Sequence, residues 1–402
     1  MTRTLKSDKK GTRKHMMTTN AIASNPVREG RSARQILEDK IHLGRSSALA
    51  LIERINTEAP LDTIAKGGAF RFGTAPTEMQ VLDKQGRPTG ESQVALRIQY
   101  GENTAAIHDH ALSQLATRVG VPGAYAQELA AGAAWQRRLL AGVMNESFHK
   151  GEPNTRYLVR NVKGTVRGVL SDKFRRLDNR PLVEAFDLEC QKAGAVLVDG
   201  SSSDTRVRLK ALVPTIYEPI PGEALAFGVE WGNSDYGNGT HVLRAFMLRV
   251  WCLNGATMED MLRQVHLGRG ISDDEILSQR TYELDTKTSM SALRDVVRAT
   301  LMPAKIEAMC AGIRNAHENK VEWKNVQGSL AKKLLKAELK AAEDAFESPD
   351  VYNLPAGNTM WRVSNAVSWI AQQKDIDADR RLDLQRLAGE LVDGRTDRVV
   401  RS

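Results

Sequence analysis

The chain has 402 residues, a formal net charge of +8, 41% hydrophobic residues and only 5% aromatic ones. That length supports a sizeable core, while the low aromatic content points to long solvated helices or tails beside it. Three widely spaced cysteines (Cys190, Cys252, Cys310) exclude a disulfide framework and a CxxC metal site, no apolar run approaches the ~18 residues of a membrane span, and the basic N-terminus lacks the apolar stretch of a secretory signal.

In chain order, residues 1–34 hold nine Lys/Arg and two acids, a net of +7, which leaves about +1 for the remaining 368 residues. Such a basic, apolar-poor segment is expected to be a disordered arm. It either binds phosphate backbones by counterion release or only solubilises the chain. Residues 35–150 are read as a helical and mixed part. Ile36, Leu37, Ile41, Leu49, Ile52 and Ile55 recur at helical spacing, and Val94–Tyr100 alternates as a strand. Leu115-Ala116 and Gly120-Val121 have the spacing of a helix-turn-helix unit. Its second helix offers Gly123, Ala124 and Gln127 but no Lys or Arg, which favours a plain helical hairpin over a base-reading motif.

Residues 151–255 are expected to form the sheet core. Tyr157–Val162 and Thr165–Leu170 flank Lys163-Gly164, a two-residue hairpin signal. Pro181 suits a helix start, and strands are expected at 195–198, 205–213, 224–231 and 240–252. Residues 256–375 read as helical, including 256–265, 306–317, 328–346 and 359–373, and 376–402 as a charged, fraying tail. The fold class implied is α+β, a mostly antiparallel central sheet backed by helices with a helical C-terminal part.

The chemistry is sparse. There is no phosphate-binding loop, dinucleotide fingerprint or nucleophile elbow. His108-Asp109-His110 cannot readily share one metal, since neighbours on a helix point about 100° apart, and no metal or cofactor is expected. The positive signal is basic. Arg156, Arg160, Lys163, Arg167, Lys173, Arg175, Arg176 and Arg180 face only Asp172 and Asp178 within 156–180, with Phe174 among them, and Asp172 and Asp178 are expected to be ion-pair partners. Period two on 206–211 sends Arg206, Arg208 and Lys210 to one face and Val207, Leu209 and Ala211 to the core. Guanidinium forks fit phosphates and aromatics stack on unpaired bases, so these residues are the candidate nucleic-acid surface, although a solvated sheet face would look the same.

Asn233, Ser234 and Gly237, Asn254-Gly255 after the strand ending at Cys252, and His266-Leu267-Gly268 form a further set of motifs, joined by Val169–Asn179 and Gly357–Val367. Together, over roughly 70–375, they resemble the phage/plasmid-like family of unknown function DUF932. The resemblance implies a phage, prophage or plasmid setting linked to DNA metabolism and assigns no catalytic residues. The expected function is a non-enzymatic, cytoplasmic binder of single-stranded DNA or an annealing-type accessory factor, compatible with a homo-oligomer and without membrane contact. The alternatives are a nucleotide- or nucleic-acid-processing enzyme, with the 233–239 loop over Asp172, Asp178 and His266, and a host-interacting protein.

Overall fold

The computed structural model describes residues 31–82, 88–251, 254–264 and 278–394. Helix α1 (Ala33–Thr57) opens on a capping box between Ser32 and Gln35. Strands β1 (Leu61–Lys66), β2 (Phe70–Leu82), β3 (Pro88–Tyr100) and β4 (Asn103–Ile107) follow, then α2 (Asp109–Arg118), α3 (Gly123–Ala131) and α4 (Ala134–Lys150). Next come β5 (Arg156–Val162), β6 (Thr165–Ser171), α5 (Asn179–Lys192), β7 (Val196–Ser202), β8 (Val207–Leu212), β9 (Leu225–Asn233), β10 (His241–Arg249) and β11 (Asn254–Gln264). The C-terminal helices are α6 (Gln279–Thr300), α7 (Pro303–Glu318), α8 (Trp323–Leu330), α9 (Lys336–Glu347), α10 (Pro349–Tyr352), α11 (Met360–Ile370) and α12 (Ala378–Val392).

The fold is α+β, built on two sheets rather than one. The first runs β1-β5-β6-β4-β3-β2 and the second β11-β10-β9-β8-β7. Every pairing is antiparallel except β4 with β6. The hairpin β5–β6 turns through Lys163 and Gly164, with φ of 50° and 81°, the left-handed pair that matches strand twist. Because β5 and β6 lie in the middle of a sheet whose other strands come from residues 61–107, the expected division at residue 151 is crossed by hydrogen-bonded strands.

Three buried clusters lie on the five-stranded sheet, the smallest joining Val198, Leu212, Ala226, Phe246 and Leu248 to Ile36 and Leu37 of α1. Val207, Leu209, Ala211, Val229, Trp231 and Leu243 pack with Phe186 of α5 and Leu293 and Val297 of α6. Phe227, Ala245 and Met247 pack with the helices α7, α9, α11 and α12. Under α2, α3 and α4 the six-stranded sheet buries Phe70, Phe72, Phe148 and Tyr157 as one aromatic cluster, with centroids 5.3–6.2 Å apart.

Three C-terminal expectations are corrected. Residues 256–264 are not helical: they form edge strand β11, paired with β10 and placing Ala256 and Met258 in the core. The single helix over 328–346 is two, α8 and α9, separated by a turn. The expected fraying tail is helix α12, whose Leu384, Leu387, Ala388, Leu391 and Val392 are buried in the larger core.

Candidate functional site

Arg160 of β5 sits where the two sheets meet and is 1% exposed. Its Nε donates to Asp62 Oδ1 at 2.8 Å, its Nη1 to the Asp235 carbonyl at 2.8 Å and its Nη2 to Asp178 Oδ1 at 2.5 Å. Burial alone would lower its pKa; the surrounding carboxylates of Asp178, Asp62 and Asp235 outweigh that and raise it. Arg176 joins from the other side, 3.5 Å from Asp62, with its guanidinium over the Tyr282 ring. Asp235 is itself buried, its two oxygens accepting from the Asn179 backbone N–H (2.9 Å) and side-chain Nδ2 (2.8 Å). Burial pushes its carboxyl up to about 7, against the pull of Arg160 and with the charge of Asp178 adding to the rise.

The Gly/Asn-rich loop that carries Asp235 is a tether between the halves of the molecule. It leaves β9 of one sheet and lies on α2 and β6 of the other. Asn233 Nδ2 donates to the Leu177 carbonyl (2.6 Å) and to Asn179 Oδ1 (2.9 Å), and the buried Ser234 Oγ accepts from the Asn238 N–H at 3.1 Å. The Tyr236 carbonyl accepts from His110 Nε2 (2.9 Å) and Gln114 Nε2 (2.8 Å), while Gln114 Oε1 accepts from the Val169 N–H. Gly237 has φ +79°, a left-handed backbone that favours glycine, and a Cβ there would press on the tip of Leu170 at 2.5 Å. Asn233, Ser234 and Gly237 are thereby placed in structural roles. Asn254 begins β11 opposite Arg249, Gly255 lies under the Phe246 ring, and His266 is outside the described residues.

The remaining basic candidates are engaged with carboxylates or packed. Arg156 meets Asp172 at 2.9 Å, Lys163 and Arg167 meet Glu58 at 3.7 and 3.3 Å, and Arg175 grips Asp285 through two nitrogens at 2.5 and 2.6 Å. The expected partner roles of Asp172 and Asp178 hold. Lys173 is half-buried, and Phe174 is buried against Leu158 and Leu170, so it is not available for base stacking.

On β8 the phase of the alternation is as expected, with Val207, Leu209 and Ala211 in the core, but the opposite face is not open sheet. Arg206 and Arg208 meet Asp379 of α12 at 3.1 and 3.3 Å; Lys210 is 7% exposed and meets Glu230 at 3.3 Å and Gln385 at 2.7 Å. Glu230 is buried in the sheet. Burial would raise its pKa, but Lys210, Arg244 and Arg208 hold it below the usual carboxylate range. The physical reason for the correction is α12: an element read as tail supplies the side chains that cover the stripe. Sequence reasoning missed Asp62 and Asp235 for a related cause, since they lie 98 and 75 positions from Arg160, and missed Glu230, which faces Lys210 and Arg244 across the strand ladders.

A small cleft of about 20 Å³ opens on this seam, lined by Glu58, Arg167, Ser203, Thr205, Arg206 and Tyr236. That is room for about one water and not for a nucleobase. His108 caps α2 by accepting from the His110 N–H, and no metal-ligand cluster occurs among the described residues. No helix among them is long and apolar enough to cross a membrane. No family model, no curated protein and no solved structure matches this chain.

Proposed function

We propose that the chain is a nucleic-acid-binding protein, of single-stranded DNA-binding or annealing-accessory type, whose contact with the phosphate backbone is carried by the basic segment 1–34 rather than by the sheet. One observation carries this reading. Nearly all the net charge lies in that segment, while Arg156, Arg160, Arg167, Arg175, Arg208 and Lys210 already face carboxylates within the fold. A cation already paired with a carboxylate gains little from a phosphate, whereas an uncompensated cluster gains the entropy of released counterions. The phage or plasmid setting rests on the motif resemblance alone. The alternative of a processing enzyme at the 233–239 loop is disfavoured by burial: Asn233, Ser234 and Asp235 are at most 5% exposed, which leaves no room for a substrate against them.

Fluorescence anisotropy with labelled single-stranded DNA, duplex DNA and RNA, each over a range of salt, tests the reading. The expected result is binding at low salt that is tightest for single strands and weakens steeply with salt, each phosphate contact adding about one unit to the log–log slope. Absence of binding at low salt, or binding indifferent to salt, would overturn it.

A further inference from the structure

Helix α4 packs on the six-stranded sheet through Leu140, Ala141, Met144 and Phe148, all buried. Its opposite face carries Trp135, Arg138, Leu139, Gly142, Val143 and Glu146, spaced so that they form one exposed stripe. The stripe is apolar where a solvent face should be polar: Trp135 is 60% exposed, Leu139 48% and Val143 38%. Gly142, in its middle, has nothing within 4 Å of where a Cβ would stand, so a second helix can approach closely there.

We infer that this face is where a second copy of the chain docks, α4 against α4, antiparallel about a two-fold axis at Gly142. The charges decide between this occupant and an unrelated one. In an isologous contact each residue meets the one equally far on the other side of the axis. Antiparallel pairing about Gly142 therefore sets Arg138 opposite Glu146 of the other copy, twice. Trp135 comes opposite His149 and Lys150, which places an ammonium at an aromatic face. Leu139 of each copy comes within two positions of Val143 of the other, beside the glycine. The stripe is thus complementary to its own reverse in both charge and apolar content. In each chain Glu146 now meets Lys150 across 2.6 Å at the surface, an exchangeable i,i+4 pair worth little in water. The apolar stripe is short for a stable dimer, so the association is a reversible one, and it would carry two basic arms on one particle.

Sedimentation equilibrium of the nuclease-treated full chain across a concentration series reads this directly. A reversible monomer–dimer equilibrium is expected. Leu139→Glu should raise the dissociation constant roughly tenfold or more. Arg138→Glu should weaken it about tenfold, and Arg138→Glu with Glu146→Arg should return it to within about threefold of the native value. Gly142→Cys should form an intermolecular disulfide on mild oxidation while Arg138→Cys does not. All these positions are exposed, so circular dichroism should be unchanged. A chain that stays monomeric at every concentration overturns the inference, whatever else covers the face. So does a dimer indifferent to Leu139→Glu, or one that the double charge swap fails to restore.

Discussion

Asp235 shows how one residue sets the behaviour of a whole seam. Its carboxyl is buried among Asp62 of β1, Arg160 of β5, Arg176, Asp178 and Asn179 at the start of α5, with Arg167 of β6 and Arg206 just before β8 beyond. Three carboxylates share two arginines there, and burial raises the Asp235 carboxyl from 3.8 to about 7. A carboxyl whose pKa is raised on folding holds its proton more tightly in the folded state. Its contribution is fully present below pH 4 and is lost as pH rises to about 7, with no further loss above. Thermal unfolding measured from pH 4 to 8 should accordingly contain a component that declines with pH and levels off near 7. Asp235→Asn should abolish that component, at the cost of one hydrogen bond from Asn179, about 1 kcal/mol. A profile unchanged by the substitution would place the titrating group elsewhere. None of this was legible in the sequence, where Asp235 is one polar residue in a Gly/Asn-rich loop. The carboxylates that add to the rise from burial lie 57 and 173 positions away, at Asp178 and Asp62.

At the scale of elements, local patterns were read well where local forces decide. Helix α1 shows its apolar spacing, the β5–β6 hairpin shows Lys163-Gly164, and α7 begins on Pro303. Strand β11 was misread because Ala-Thr-Met-Glu-Asp-Met-Leu-Arg is helix-favouring, and only the ladder with β10 makes it a strand. Helix α12 was misread for a different reason: Leu384, Leu387 and Leu391 lie at i, i+3 and i+7 among six charged residues from Asp379 to Glu390, so charge masked the stripe. The consequence is testable. Leu384 is fully buried, and Leu384→Ala should cost about 2–5 kcal/mol. A frayed tail would tolerate the change with no shift in melting temperature.

At the scale of the molecule, the candidate basic surface was half legible. The phase of β8 was right, but the sequence could not say what lies over Arg206, Arg208 and Lys210, because the cover comes from residues 379 and 385. The body holds its charges by pairing them, and the uncompensated charge stays with the first residues. Arg31 and Arg34 pair with Asp39 and Glu38 at the start of α1. Residues 1–30 keep seven Lys/Arg against two acids, a net of +5. They can be removed without touching the Ser32 cap or any described core residue.

The most direct measurement is the salt dependence of single-stranded DNA affinity for the full chain and for residues 31–402, compared at equal thermal stability. If the first thirty residues carry the phosphate contacts, the shortened chain should melt at the same temperature, lose most of its affinity, and show a log–log salt slope shallower by several units, up to about five. Equal affinity and equal slope in the two chains would contradict the account and return the binding surface to the folded body.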